Sequence, residues 1–160
     1  MIKDSGTRTS FESGAVRDIQ KGKGRCDLMP LDVVAAMTED VTFLDIYYFL
    51  DTGRTDVMLK LISNSAVKLF GSIENALLEV SIHYEEGAEK YGEHNWEKGI
   101  PAHSFVDSAI RHYIKLRRGD KDERHDRAFI WNLLGLLWTI EHHSELNDLP
   151  YCTRDADTIE

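Results

Sequence analysis

The chain has 160 residues, enough for one domain with a buried core, and its 42% hydrophobic and 29% charged residues suit an ordinary globular protein. A formal charge of −9 argues against broad, charge-driven binding to nucleic acid or to an anionic membrane, and leaves room for a local basic pocket. Two distant cysteines, Cys26 and Cys152, indicate neither a disulfide framework nor a zinc ribbon and fit a reducing cytoplasm.

The opening MIKDSGTRTSFESG lacks the apolar core of a signal peptide. The most apolar stretch, Ala128 to Ile140, spans 13 residues and contains Asn132, too short to cross a bilayer. The expectation is one soluble domain over residues 1–150 and a frayed acidic tail over 151–160.

Residues 1–30 are polar, glycine-containing and aperiodic, which reads as an extended arm ending at Pro30. Within it Arg17, Lys21, Lys23 and Arg25 alternate with Gly22 and Gly24. Basic groups suit phosphate, and glycines let a backbone approach a ligand. Apolar residues then dominate Leu31–Met37 and Val41–Leu50, with a break at Asp51-Thr-Gly53. A further amphipathic segment runs from Asp56 to Phe70. These read as helices, although VTFLDIYYFL has strand propensity too.

Ser72 opens the next helix, which runs to about Tyr91 and carries an apolar stripe of Ile73, Leu77, Val80, Tyr84, Ala88 and Tyr91. Two more helices follow, about His103–Arg118 and Asp122–Ser144. The last is apolar nearly all round between Ala128 and Ile140, as a central helix should be. The fold class is all-α: a helical bundle with an extended N-terminal arm.

The end of the Ser72–Tyr91 helix carries Glu85, Glu86 and Glu89. At about 100° per residue, Glu89 projects roughly 40° from Glu85 and Glu86 roughly 100° away, so their repulsion needs water or a cation. A magnesium or manganese site needs further oxygen ligands. Glu123-x-x-Asp126 is one candidate source, and Asp107 is another, with Ser104 standing where an E-x-x-D motif has Glu. Antiparallel helices bring Asp107 level with the acids and leave Glu123 and Asp126 roughly 16 Å down the axis. The expected metal layer is therefore Glu85, Glu86, Glu89 and Asp107, with Asn132 folded back nearby. His112 and His125-Asp126, with Asp148 later and His83 as an alternative first histidine, raise a competing N/O metal set of the HD phosphohydrolase type.

Three segments, SGAVRDIQKGKGRCDLMP (Ser13–Pro30), HYEEGAEKYGEHNWEKGIP (His83–Pro101) and DSAIRHYIKLRRGDKDERHDRAFIWN (Asp107–Asn132), jointly resemble the phage and bacterial dATP/dGTP diphosphohydrolase family. This family includes MazZ-like proteins of phages that replace adenine with 2-aminoadenine, and it is similar to the MazG-like all-α nucleotide pyrophosphohydrolases. The resemblance is interrupted over residues 40–70, which read as a helical insertion, and lapses after about Glu141. It implies cleavage of dGTP or dATP to the monophosphate and pyrophosphate with Mg2+ or Mn2+. It also implies a homo-oligomer (dimer or tetramer) and a setting in the cytoplasm of a phage host. Glu86 is the expected water-activating carboxylate. Arg17, Lys23, Arg25, Asn95, Trp96, Lys98, Arg111, His112 and Asn132 are the expected substrate contacts, with Trp96 either stacking on the purine or pinning its loop. The rival readings are an HD-type hydrolase that releases intact triphosphate and a catalytically silent nucleotide-binding or structural partner.

Overall fold

A computed structural model describes residues 1–156 of the chain. Seven helices follow a small antiparallel hairpin, β1 (Arg8–Ser10) and β2 (Val16–Asp18), in which Thr9 pairs with Arg17. The helices are α1 (Leu31–Thr38), α2 (Val41–Thr52), α3 (Thr55–Phe70), α4 (Ile73–Tyr91), α5 (Ala102–Arg118), α6 (His125–His142) and α7 (Pro150–Ala156). The all-α expectation holds. Among the described residues, no helix is long and apolar enough to cross a membrane.

The helix boundaries have local causes. Asp40 accepts a 2.9 Å hydrogen bond from the Thr42 amide, and Ser72 accepts one of 3.1 Å from Asn75, each satisfying an amide that the first turn leaves unpaired. Gly53 terminates α2 at φ +67°, in the left-handed region that glycine enters without a Cβ clash. VTFLDIYYFL is helix, not strand: Phe43, Ile46, Phe49 and Leu50 are buried at helical spacing. The stretch expected to be a frayed tail includes most of α7; residues 157–160 of it lie outside the described residues.

Helix α6 is the centre of the bundle, packing on α3, α4 and α5. It buries Phe129, Ile130, Leu133, Leu136 and Leu137, and a Cβ at Gly135 would lie 2.5 Å from the Phe105 ring of α5. That absent side chain lets α5 and α6 approach closely. Helix α4 departs from the expected stripe. Ala76 and Val80 are buried, while Ile73 and Leu77 are 45% and 59% exposed. Its buried face therefore points toward His83 and Gly87.

The N-terminal arm is tied down. The Asn95 side chain accepts a 2.9 Å bond from the Val16 amide and donates one of 2.8 Å to the Val16 carbonyl, as a neighbouring strand would. A 3-10 turn at Cys26–Leu28 is held where the Cys26 amide donates to Asp107 at 2.7 Å.

Candidate functional site

Between α4 and α5, with α6 as floor and the hairpin as roof, lies a cavity of about 460 Å³. This is within the usual range of small-molecule sites. Helix α4 presents His83, Tyr84, Gly87, Ala88 and Tyr91 to it; α5 presents Ser108, Arg111, His112 and Lys115. Trp131 and Asn132 come from α6, and Trp96 and Ile100 from the loop before α5. The arm adds Ile2–Ser5, Val16, Arg17, Asp18, Gln20 and Lys23. Five basic side chains (Lys3, Arg17, Lys23, Arg111, Lys115) face three acidic ones (Asp4, Asp18, Glu123). The lining thus has an excess of basic side chains within a chain of charge −9, although Lys23, Arg111 and Lys115 are each paired with a carboxylate, Asp18, Asp107 and Asp122.

Arg17 is the most enclosed of these cations. Its guanidinium donates to the Asn132 side-chain oxygen at 2.9 Å and to the Ser104 carbonyl at 3.2 Å, and lies over the rings of Phe105 and Trp131. Burial lowers its pKa to about 10, so it stays charged at neutral pH. Arg111 bridges the arm and α5: it donates to the carbonyls of Lys23 and Gly24 and pairs with Asp107, four residues away and almost fully buried. Lys23 pairs with Asp18 at 2.9 Å.

The structure brings together Arg17, Lys23, Asn95, Trp96, Arg111, His112 and Asn132, which all border the cavity. It does not bring Arg25 or Lys98 there. Arg25 is paired with Asp27 at 2.6 Å, and both Arg25 and Lys98 are exposed. The Asn95 amide is already spent on the hairpin. Trp96 meets Tyr84 and Trp138 edge-on, at ring separations of 5.8 and 4.8 Å, an anchorage that pins its loop.

The four carboxylates expected as a metal layer do not converge. His83, Tyr84, Gly87, Ala88 and Tyr91 face the cavity, and at about 100° per residue Glu85 and Glu89 point roughly 130° and 170° away from their mean direction. Both are exposed; Glu86, half-buried, lies 3.3 Å from the amino terminus. Asp107 has both oxygens engaged, one by the Cys26 amide and the other by Arg111. Of the acids weighed as metal ligands, Glu123 borders the cavity, and it accepts a 2.7 Å bond from the Lys3 backbone amide.

Beside Glu123, the Nδ1 atoms of His112 and His125 are 2.9 Å apart, and His125 Nε2 lies 2.8 Å from Asp122. Burial, and then the adjacent His125 ring, hold the His112 pKa well below the usual histidine value, so it is neutral at pH 7. Asp126, the other half of the expected His-Asp pair, turns to Arg124 at 2.8 Å instead. Sequence reasoning missed Tyr91 and Lys115 as cavity residues, and weighed His83 only as a ligand of the HD-type set. Lys115 carried a signal, standing one helical turn beyond Arg111.

The fold and cavity define the class: an all-α bundle with an aromatic-walled cavity between its helices. More narrowly, the chain belongs to the family described as dATP/dGTP diphosphohydrolase, N-terminal, which matches residues 53–149, more than half of its length. The matched segment includes α4, α5 and α6, starts within the 40–70 stretch and continues past Glu141; the arm lies outside it. The family's description is that of a hydrolase of dATP and dGTP. No curated protein and no solved structure matches the chain.

Proposed function

We propose that the chain hydrolyses dGTP, dATP or both to the monophosphate and pyrophosphate in the cavity between α4 and α5. The observation that carries this reading is the excess of basic side chains lining that cavity in an acidic protein of this family. A triphosphate needs several cations placed together, and Lys23, Arg111 and Lys115 supply them from one side. The aromatic wall of Tyr84, Tyr91, Trp96 and Trp131 suits a purine ring at the other. Arg17 holds the floor and the hairpin together and adds a fixed positive charge beneath the phosphates.

The reaction calls for a divalent ion, Mg2+ or Mn2+, which screens the phosphate oxygens and stabilises the departing pyrophosphate. Glu85, Glu86, Glu89 and Asp107 do not fit one such ion as they are placed. The donors that fit are those around Glu123, because Mg2+ is commonly held by one or two carboxylates together with substrate phosphates. Glu123 takes the place expected of Glu86, as the carboxylate able to accept a proton near the phosphates.

Adjusting the purine deoxynucleotide pool, in a phage-infected cell, is the setting this chemistry suits. Assembly into a dimer or tetramer belongs to the same proposal and is supported by the exposed Val41, Tyr48 and Leu59 of the 41–70 segment. Incubating the chain with dGTP or dATP and Mn2+, then separating the products, tests the activity. Monophosphate and pyrophosphate are expected. Orthophosphate, intact triphosphate or no product with either nucleotide would overturn the proposal, and intact triphosphate would point to the HD type.

A further inference from the structure

We infer that His112, His125 and Glu123 form a binding site for a divalent first-row transition metal ion, distinct in donor chemistry from an all-oxygen magnesium site. The inference rests on the proposed function only in placing that ion at the edge of the nucleotide cavity.

Three donors from three chain segments converge. His112 comes from the inner face of α5, His125 from the first turn of α6, and Glu123 from the turn between them. One ligand atom of each lies within 4.8 Å of the other two. The two imidazole Nδ1 atoms are 2.9 Å apart. With metal–nitrogen bonds of about 2.0–2.1 Å, two nitrogens at right angles on one ion are separated by about 2.9 Å, and at a tetrahedral angle by about 3.3 Å. The spacing therefore suits neighbouring positions on a single ion without a rearrangement of either helix.

The surroundings match a ligand set more closely than a plain core pair. A histidine that binds metal commonly gives its other ring N–H to a carboxylate, which fixes the tautomer and the ring. His125 does this: its Nε2 lies 2.8 Å from Asp122, and its ring is 2% exposed. Asp122 is neutralised by Lys3 at 3.3 Å and Lys115 at 3.7 Å, so it serves as the orienting group. Among the described residues, Glu123 is bound by a backbone amide and by no cationic side chain, which leaves its charge available.

The proton balance is simple. In the metal-free pair His125 keeps its hydrogen on Nε2, toward Asp122, and His112 Nδ1 carries the shared hydrogen. On metal binding that hydrogen moves to Nε2 of the same ring, freeing both Nδ1 lone pairs with no net proton release. Imidazole ligands favour Co2+ and Zn2+ over Mg2+, which prefers oxygen.

The test is calorimetric titration of untagged, chelator-treated full-length chain with Co2+, Zn2+ or Mg2+ in the absence of nucleotide. One Co2+ or Zn2+ per chain is expected, with Mg2+ binding at least 100-fold weaker. His112→Gln and Glu123→Gln, both at partly exposed positions, should each lose at least tenfold in Co2+ affinity. Asp122→Asn should lose about 10–100-fold through His125 alone. Circular dichroism confirms that each variant is folded. Absent Co2+ and Zn2+ binding, Mg2+ binding of equal strength, or unchanged affinity in folded His112→Gln and Glu123→Gln would overturn the inference. Release of pyrophosphate from dGTP with Mg2+, measured on the same protein, reports separately on the proposed function.

Discussion

Arg17 of the N-terminal hairpin donates a 2.9 Å hydrogen bond to the side-chain oxygen of Asn132 in the central helix. The Asn132 amide in turn donates to the Ala128 carbonyl one turn earlier, at 2.8 Å, so its orientation is set by its own helix. A buried amide thus aims a buried guanidinium. The arm joins the cavity through this contact, Asn95 and Asp107.

Replacing Asn132 with Leu leaves the Arg17 charge short of an acceptor in an enclosed place. Urea unfolding at neutral pH should show a loss of about 1–3 kcal/mol, the cost of an unsatisfied buried polar group. A loss below about 0.5 kcal/mol would mean that Arg17 finds solvent without Asn132.

Glu123→Gln should slow pyrophosphate release from dGTP by at least tenfold, a barrier increase of about 1.4 kcal/mol. Glu85→Ala and Glu89→Ala, which alter side chains turned away from the cavity, should change it by less than about twofold. The reverse order, measured as kcat/KM on the three variants, would return the metal layer to α4.

His83 is held neutral. Burial, helped by Arg17 and Arg127 and opposed by Glu86, lowers its pKa to about 4 from an ordinary 6.5. The unfolded chain therefore binds a proton that the folded chain refuses over that window. Stability should be greatest above pH 6.5 and fall progressively toward pH 4, by up to about 3 kcal/mol from this group. Urea midpoints measured across that range check the sign. His83→Gln should flatten the slope, and an unchanged slope in that variant would assign the effect to other groups.

Gly135→Ala places a Cβ 2.5 Å from the Phe105 ring, inside a core where Phe105 is fully buried. Helices α5 and α6 must then move apart, and overpacking of this kind costs about 1–3 kcal/mol. A thermal midpoint equal to that of the parent chain would show that the Phe105 ring yields instead.

Helix periodicity, caps and breakers were legible in the sequence because each acts over one or two turns. Ser72 and Gly53 mark boundaries through their own local chemistry, and α2 to α6 lie close to where the pattern puts them. The basic arm and the segments His83–Pro101 and Asp107–Asn132 were legible as parts of one site, and each contributes to the cavity. What a single helix cannot encode is its rotation about its own axis within the bundle. Glu85, Glu86 and Glu89 read as a metal layer beside a stripe that began at Ile73 and Leu77; Val80, Tyr84, Ala88 and Tyr91 of that stripe do face inward, but Ile73 and Leu77 are exposed, and burial of Ala76 turns the helix so that His83 and Gly87 join the cavity.

The sequence by itself determined an all-α chain, its helix ends and the charge pattern of a phosphate-handling family, since those follow from local propensity and spacing. Only the tertiary structure decided which charges meet. Asp107 is claimed by Arg111 and the Cys26 amide, while Glu123 stands beside His112 and His125. Those contacts depend on helix rotation and on an arm folded back across more than eighty residues of chain, and neither is written in any local window.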